Sequence, residues 1–459
     1  MGINRVIVKD LFNLMSDIEL IQGIFDYELL NCCTNTKILK PKETFFAIGE
    51  ANNYIEDALE KGATGCVVEK DVPEIVLQKY PKATIIKVKD GLEALQRLAT
   101  YKRSLYDIPV IAITGSVGKT STKDIVANVL AKNYKVLKTE GNFNNHIGLP
   151  ITIMKLKEHT ALVVEMGMNH EGEIELLSNI AKPTIAVITN IGTAHIGNLG
   201  SKRAILKAKL EILKGLSEDG TLIINYDSDL LRQWDMTKDN DKKIKVISVS
   251  LEMPSNIKAR RIVYKKESSI FSIKSKRITG RFEICVPGEP FVYNALVAAA
   301  VANVLKIHTK TYKKGLTNII LTKNRMEILE INQVIYINDA YNASGESMKY
   351  SIEQLSRYTD SRKIAVLGDM FELGNYTKTI HKDIGTYINK KDIDILITVG
   401  KESKLINQEV NLDIEKFHFD TREDVIEFLK EFLEPKDVVL IKASNGMKLY
   451  EIVEEMKKL

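Results

Sequence analysis

The stretch from residue 111 to residue 122 carries the residue types that bind a nucleoside triphosphate, and it reads IAITGSVGKTST. A short apolar strand leads into a glycine turn, and Lys119, Thr120 and Ser121 then open a helix. Backbone N–H groups at the start of a helix point at a bound phosphate, a lysine adds positive charge, and a threonine hydroxyl can bind Mg²⁺. The order of these residues therefore predicts a site for ATP or GTP.

The glycine spacing in this stretch is shorter than in the usual phosphate-binding motif. Only two residues separate Gly115 from Gly118, and Ile113 occupies the position where the usual motif has its first glycine. A bare Gly-Lys-Thr also occurs by chance, so a plain strand–turn–helix is the alternative. The strand before the turn and the helix after it favour nucleotide binding.

Glu165, His195 and Lys209 are further candidates for this site. Glu165 ends the apolar strand ALVVE, where a carboxylate is well placed to hold Mg²⁺. His195 lies in the glycine-rich segment 190–200, and Lys209 lies in the helical segment 204–213. The position of Glu165 is equally compatible with a strand-end acid paired with a lysine. Position alone favours a surface histidine for His195 and an exposed helical lysine for Lys209.

A second group of candidates lies later in the chain. Asp339 follows the strand VIYIN and precedes Tyr341 and Asn342, a combination that suits a ligand crevice better than a core. Arg325 follows Thr-Lys-Asn, where it could bridge to the nucleotide phosphates. A surface position for Arg325 is equally compatible with its place in the sequence.

The elements around these residues predict an α/β protein of three domains. Residues 1–107 form a small α/β N-terminal domain, and residues 108–321 form a central P-loop mononucleotide-binding domain. Continuous apolar strands separated by helical segments predict that the central sheet is parallel and covered on both faces. The N-terminal elements are an amphipathic segment over 8–20, strands at 44–48, 65–68 and 83–86, and a helix over 55–61. The central strands lie at 110–114, 161–165, 184–189 and 221–225.

The pattern changes twice after these strands. Residues 244–286 alternate with period two, which predicts antiparallel strands appended to the central sheet. Residues 322–459 form a C-terminal Rossmann-like doubly wound domain, whose ligands should lie at the carboxyl ends of its strands. No Gly-x-Gly-x-x-Gly is present there, which argues against a dinucleotide. Its predicted strands are 334–337, 363–367, 393–399 and 438–442, and a helix over 447–457 closes the chain.

Composition narrows the class of protein. The chain has 459 residues, 44% of them hydrophobic, and a net charge of +5 that is spread along the sequence, so no nucleic-acid footprint is evident. The longest apolar run, 295–305, is too short to span a bilayer. The four cysteines have no metal-ligand spacing, which indicates reduced thiols and a cytoplasmic protein. They are Cys32, Cys33, Cys66 and Cys285.

Four segments together resemble the Mur ligase family, the ATP-dependent amide-bond-forming enzymes of peptidoglycan synthesis. The resemblance covers nearly all of the chain from about residue 110 onward. Two of the segments, the second and the fourth, are specific to the branch that adds D-Ala-D-Ala. The segments are 114–122 (TGSVGKTST), 139–150 (TEGNFNNHIGLP), 165–174 continuing into 189–196 (EMGMNHEGEI and TNIGTAHI), and 366–374 (VLGDMFELG) after DAYNA at 339–343.

The resemblance implies an activity and a set of roles. ATP would convert the terminal carboxylate of a UDP-N-acetylmuramoyl-tripeptide to an acyl phosphate, which the amine of D-Ala-D-Ala would attack. Lys119, Glu165, His195 and Lys209 would be catalytic. Two Mg²⁺ ions would be held by Thr120, Glu165, His195 and Lys209, the last as a carbamylated lysine. ATP would be bound by Gly115, Gly118, Lys119, Thr120, Ser121, Asn294 (at adenine), Arg325 and Asp339.

The resemblance also implies a division of labour among the domains. The N-terminal domain would bind the UDP-linked acceptor and the C-terminal domain the incoming dipeptide, with closure around them. Small molecules would be the only partners of a chain expected to be a monomer. The substrate residues would be Asn35, Thr36, Lys37, Asn142, Asn145, Tyr341, Asn342, Asp369, Glu372 and Ser444.

The N-terminal domain departs most from the family pattern. The uridine-nucleotide motif Asp-Ser-Arg or Asp-Thr-Arg of the family reads Asn35-Thr36-Lys37 here. The negative charge of the aspartate is lost at Asn35, and at Lys37 the fork-shaped guanidinium of arginine is replaced by the point charge of an ammonium group. A ligase with a different, non-UDP carboxylate acceptor is therefore an alternative. A nucleotide-binding regulatory protein without ligase activity is a further alternative. The joint presence of Lys119, Glu165, His195, Lys209 and Asp339 argues against it.

Overall fold

The computed structural model describes residues 4–237, 244–411 and 413–459, which form three sheets with helices packed around them. None of the helices in these ranges combines the length and apolarity needed to cross a membrane. All four cysteines are free thiols, and only Cys285 is exposed.

The first sheet has four strands in the order β1-β4-β3-β2. Strands β2, β3 and β4 are parallel, and β1 runs antiparallel to β4. The predicted amphipathic segment 8–20 was only partly right, because its helix ends at Leu14 and a strand begins at Ile18. The strands are β1 (Ile18–Gln22), β2 (Thr44–Phe46), β3 (Gly65–Val68) and β4 (Thr84–Val88); the helices are α1 (Val8–Leu14), α2 (Ile55–Glu60), α3 (Glu74–Lys79) and α4 (Gly91–Ser104).

The second sheet has nine strands in the order β13-β12-β11-β10-β9-β8-β5-β7-β6. Alternate residues of β5 enter two different cores, Val110 and Ala112 on one face and Ile111 and Ile113 on the other, so helices cover both faces as predicted. The strands are β5 (Val110–Thr114), β6 (Val136–Lys138), β7 (Ala161–Glu165), β8 (Ile185–Ile188), β9 (Thr221–Asn225), β10 (Lys245–Ser250), β11 (Ile257–Tyr264), β12 (Ser269–Lys274) and β13 (Thr279–Ile284).

The helices of this region pack on the two faces of the nine-stranded sheet. They are α5 (Lys119–Leu130), α6 (Gly148–Met154), α7 (Glu173–Ala181), α8 (Ile196–Leu199), α9 (Lys202–Leu210), α10 (Asp229–Thr237), α11 (Glu289–Val304) and α12 (Thr309–Gly315). Helix α5 follows β5 directly, which gives the predicted strand–turn–helix.

The prediction of antiparallel strands over 244–286 was half wrong. Strands β10 and β11 continue the parallel sheet, and only β12 and β13 are antiparallel. The Asp227 carboxylate accepts backbone N–H groups of Leu251 and Met253, which fixes the turn after β10. Alternation of apolar and polar residues with period two indicates that one face of a strand is exposed. It does not indicate whether the strand pairs in parallel or antiparallel.

The third sheet has six strands in the order β14-β15-β19-β16-β17-β18. All of its pairs are parallel except β14 with β15, and the sequence prediction missed β14 and β18. The strands are β14 (Glu327–Ile331), β15 (Val334–Asn338), β16 (Lys363–Gly368), β17 (Ile395–Val399), β18 (Glu415–Phe419) and β19 (Val438–Lys442); the helices are α13 (Gly345–Leu355), α14 (Thr377–Ile388), α15 (Lys404–Glu409), α16 (Arg422–Phe432) and α17 (Tyr450–Met456).

Candidate functional site

The turn between β5 and α5, residues 115–118, has the backbone geometry that binding a phosphate requires, and we call it the phosphate turn. Gly118 adopts φ 84°, and no side chain caps the N-terminus of α5, so its first N–H groups are available to an anion. A Cβ at position 115 would lie 1.8 Å from Oγ1 of Thr189, so only glycine fits there. Lys119 donates from Nζ to the carbonyl of Gly115 at 2.9 Å, and burial lowers the pKa of its ammonium group.

Glu165 is the centre of a hydrogen-bond network beside this turn. Its carboxylate is buried, with Oε2 accepting from the Thr120 hydroxyl at 2.8 Å and Oε1 accepting from the Asn144 amide at 2.8 Å. The guanidinium of Arg325, which belongs to the C-terminal part of the chain, donates to the same Thr120 oxygen at 3.0 Å. Glu165 thus lies at the carboxyl end of β7, as predicted, and faces the phosphate turn.

His195 approaches the same cleft from the loop after β8. Its backbone is left-handed (φ 63°), and its Nδ1 lies 2.6 Å from Oε2 of Glu372, which also has a left-handed backbone (φ 64°). The contact with His195 is the main cause that lowers the pKa of the Glu372 carboxyl group. Two residues predicted separately, one as a metal ligand and one as a substrate contact, are therefore direct partners in this structure.

Lys209 is fully buried, which corrects the view of it as an exposed helical lysine. Burial, together with the nearby positive charge of Lys119, holds the pKa of its amine well below the ordinary value for lysine. Burial therefore favours the neutral amine of Lys209 over its ammonium form. A neutral amine is a nucleophile, whereas an ammonium group is not.

Asp339 lies at the end of β15 and is not on the wall of the cleft, so its contact with ATP stays a prediction. Its carboxylate accepts from Lys442 Nζ at 2.5 Å and from the Ser351 hydroxyl at 2.7 Å. This buried pair supports the strand end beneath Tyr341, and the guanidinium of Arg325 stacks on the Tyr341 ring at 4.0 Å. Asp339 therefore acts on the cleft through the loop that it anchors.

A cleft of about 690 Å³ lies between the central and C-terminal sheets and collects many of the predicted residues. Its wall also includes Phe371 and Asn445. The predicted residues on its wall are Gly118, Lys119, Thr120, Asn142, Asn145, Glu165, His195, Arg325, Tyr341, Asn342, Glu372 and Ser444.

Several predicted residues lie behind or away from this wall. Asp369 accepts three backbone N–H groups, from Lys401, Glu402 and Ser403, and so holds the loop that follows β17. Ser121 is buried within α5, and Gly115 lies under Lys119.

Asn294 is buried on α11 beside the start of α5. Its side-chain oxygen accepts from the Thr122 hydroxyl at 2.7 Å. Among the described residues no partner is present for its buried Nδ2, which is therefore a donor available to a ligand.

The N-terminal motif residues Asn35, Thr36 and Lys37 are outside the cleft. The Asn35 side chain accepts from the backbone N–H of Lys37 at 2.9 Å, which closes a local turn. Thr36 is buried and bonds to the exposed carboxylate of Asp57, lowering the pKa of that group.

Asn144 is a site residue that was not predicted, although it lies in the tract NFNN of residues 142–145. Asn142 and Asn145 were chosen, whereas Asn144 is the one that contacts Glu165. Glu346 and Thr193, which join the two walls of the cleft, were not predicted either. No local pattern marks such a pair, because the two residues are 153 positions apart.

The donor set suits Mg²⁺ better than a transition metal. No group of three or more His, Cys, Asp or Glu side chains converges on a metal position anywhere in the described ranges. Mg²⁺ is commonly bound by one or two carboxylates with water and substrate phosphates completing its shell. The adjacent oxygens of Thr120 and Glu165 fit that requirement.

Comparisons with known proteins give one consistent result. Residues 113–302 match the Mur ligase middle domain, and residues 324–445 match the Mur ligase glutamate ligase domain. The chain is 38% identical over 435 residues to the UDP-N-acetylmuramoyl-tripeptide–D-alanyl-D-alanine ligase of Bacillus subtilis, covering 92% of both chains.

Solved structures agree over the whole length. A crystal structure of MurF from Acinetobacter baumannii superposes with a TM-score of 0.88 at 26% identity, covering 100% of both chains. The MurF ligase of Thermotoga maritima in complex with ADP superposes with a TM-score of 0.80 at 26% identity, covering 94% of this chain and 97% of that one.

Proposed function

The chain belongs to the Mur ligase family, and we propose that it joins D-alanyl-D-alanine to UDP-N-acetylmuramoyl-tripeptide with conversion of ATP to ADP and phosphate. The observation that carries this proposal is the similarity to a ligase of that name over 92% of both chains. The cleft supports it, because residues of the phosphate turn, a buried carboxylate and an arginine from the C-terminal part of the chain converge there. The product serves peptidoglycan synthesis.

The reaction needs ATP because a carboxylate is a poor electrophile. An oxygen of the acceptor carboxylate attacks the γ-phosphorus of ATP, and the bond from that phosphorus to ADP breaks. The amine of the dipeptide then attacks the carbonyl carbon of the acyl phosphate and loses a proton, and the tetrahedral intermediate expels phosphate. The protein contributes mainly position and charge in such a reaction.

The phosphate turn binds the ATP phosphate oxygens, whose negative charge is redistributed when the γ-phosphoryl group is transferred. Lys119 and the first N–H groups of α5 bind the phosphate oxygens, and Arg325 approaches the same phosphates from the opposite wall. Thr120 and Glu165 would hold Mg²⁺, which when bound neutralises charge on the phosphate oxygens. Asn294 offers its free Nδ2 to the adenine ring.

Lys209 is suited to carbamylation. Its neutral amine can attack CO₂, forming an N–C bond and releasing a proton, and the product is an anionic carbamate. The carbamate provides oxygen atoms where an ammonium group would repel a metal ion. With His195 and Glu165 it would hold a second Mg²⁺.

The three parts of the chain divide the substrates among them. Residues 1–107 bind the UDP-linked acceptor, residues 108–321 bind ATP, and residues 322–459 bind the dipeptide. Asn142, Asn145, Tyr341, Asn342, Glu372 and Ser444 contact substrates from the cleft wall. We expect a monomer, working in the cytoplasm where ATP and UDP-sugars are found.

The test is phosphate release by the purified protein with ATP and Mg²⁺, with the two other substrates added singly and together. We expect release only when D-Ala-D-Ala and UDP-N-acetylmuramoyl-tripeptide are both present, with the pentapeptide product detected by mass. Absence of release with both would contradict the proposal. It would favour the alternative of a non-UDP acceptor, which the altered motif Asn35-Thr36-Lys37 makes the next hypothesis.

A further inference from the structure

The loop 189–200, which carries His195, joins the phosphate turn to the C-terminal part of the molecule. On one side, the Gly192 N–H donates to the Ser116 hydroxyl at 2.8 Å, and the Val117 N–H donates to the Asn190 side chain at 3.0 Å. The Thr189 hydroxyl also donates to the Val117 carbonyl at 2.6 Å. The first half of this loop is therefore bonded directly to the phosphate turn.

The second half of the loop is bonded to the C-terminal part. The Gly197 N–H donates to the Glu372 carbonyl at 3.1 Å, and the Tyr376 hydroxyl donates to the Gly200 carbonyl at 3.0 Å. Backbone packs against backbone here, since a Cβ at position 197 would lie 2.6 Å from the Gly374 nitrogen. Docking of the C-terminal part thus fixes this half of the loop.

Glu346 is the side chain that fastens the middle of the loop. It lies in the first turn of α13, and its carboxylate takes both donors of Thr193, the N–H at 3.0 Å and the hydroxyl at 2.8 Å. A Cβ at position 192 would lie 2.9 Å from the Glu346 carboxyl carbon, so the loop approaches closely because Gly192 has no side chain. Lys202 Nζ lies 3.7 Å from the same carboxylate.

We propose that Glu346 is a positioning residue for ligation: by holding Thr193 it fixes the loop 189–200, and so sets His195 and the phosphate turn when the C-terminal part docks. The proposal rests on the proposed function. The Glu346 carboxylate accepts two charge-assisted hydrogen bonds from Thr193, and together they fix both the position and the orientation of this residue of the loop. His195 lies two residues beyond Thr193, so a displacement of the loop at Thr193 also displaces the imidazole ring of His195.

The test compares Glu346→Ala with Glu353→Ala, a matched control two turns along the same helix. Glu353 bonds to Lys391 and Tyr387 within the C-terminal part and does not touch the loop. We expect the kcat of Glu346→Ala to fall about tenfold, since it loses two charge-assisted hydrogen bonds. The Kd of ATP, measured without the other substrates, should change much less than kcat, because Lys119, Thr120 and the first N–H groups of α5 remain in place. Glu353→Ala should leave both values at the wild-type level.

Hydrogen–deuterium exchange over residues 189–200 gives a readout that does not depend on activity. The Thr193 N–H should exchange faster in Glu346→Ala than in the wild type and in Glu353→Ala. Wild-type kcat together with wild-type exchange in Glu346→Ala would overturn the proposal. If the wild type itself shows no ligation, the proposed function fails, and the exchange data still decide whether Glu346 holds the loop.

A second pair of variants covers the case in which Glu346→Ala does not fold. Thr193→Ser keeps both donors and should retain wild-type kcat and exchange. Thr193→Val loses the hydroxyl donor and should show the same kind of defect as Glu346→Ala, to a smaller extent. Equal kcat and equal exchange in the two Thr193 variants would also overturn the proposal.

Discussion

The phosphate turn and the N-terminal motif Asn35-Thr36-Lys37 are built in opposite ways. Beside the phosphate turn, Thr120 of α5 shares hydrogen bonds with Glu165 at the end of β7 and with Arg325 from the loop before β14. In the motif, the Asn35 side chain bonds only two residues along the chain, to the N–H of Lys37. The phosphate-binding part of the site is therefore assembled from distant segments of the chain, whereas the motif bonds only within the N-terminal part and lies outside the cleft.

The largest effect should come from Lys119, since it is the cation that directly follows the phosphate turn. We expect Lys119→Ala to lower kcat by about 10³-fold, because charge developing on the phosphate oxygens loses a preorganised partner. The measurement is phosphate release with all substrates present. Lys132→Ala, an exposed lysine after the end of α5, is the control and should keep full activity. Appreciable turnover by Lys119→Ala would remove the phosphate turn from the mechanism.

Lys209 should show the next largest effect. We expect Lys209→Ala to lose about 10²-fold in kcat, because it lacks the carbamate oxygens that would hold a metal ion. Added formate or acetate should restore part of the activity by filling the space that the side chain leaves. Lys207→Ala removes an exposed lysine from the same helix, paired with Glu171, and should behave as the wild type. Full activity of Lys209→Ala without added carboxylate would show that the buried amine is only structural.

Glu165 offers a test that separates metal binding from general damage. Glu165→Gln keeps the size of the side chain and loses its charge, so the Mg²⁺ concentration for half-maximal activity should rise about tenfold. Asn144→Ala removes a neutral partner of the same carboxylate and should cause a smaller rise. If both variants keep the wild-type Mg²⁺ dependence, Glu165 is not a ligand.

The smallest effect should come from the N-terminal motif. We expect Lys37→Ala to raise KM for the UDP-linked acceptor by about threefold and to leave kcat unchanged, the size expected for one exposed charge. Raised salt should reduce the difference. Lys70→Ala, another exposed lysine of the same sheet region, should have no effect. A loss as large as that of Lys119→Ala would contradict the contrast between the two regions.

Much of the fold could be predicted, and the failures share a physical cause. The buried strands β5, β7, β9 and β19 have the bounds that the sequence predicts, because continuous apolar runs mark strands covered on both faces. The strands absent from the prediction are β1, β6, β14 and β18, and each lies at the edge of its sheet. Edge strands are half exposed and carry charged residues, as in EKFHF at 415–419, so their sequences lack an apolar run.

The residues of the site also fall into those that the sequence predicts and those that it does not. Residues within one motif, such as Lys119 and Thr120, could be identified because their chemistry and spacing are local. The engagement of Asp339 by Lys442 and the contact of Glu346 with Thr193 could not, because each depends on how segments more than 100 positions apart pack together.

The most direct test of the account follows the oxygen atoms of the acceptor. The terminal carboxylate of UDP-N-acetylmuramoyl-tripeptide is labelled with ¹⁸O, and the phosphate released during ligation is analysed by mass. We expect one ¹⁸O atom in each phosphate, because the carboxylate oxygen that attacks ATP leaves with phosphate when the amide forms. Unlabelled phosphate, with amide product formed, would contradict activation of the acceptor by phosphorylation in this cleft.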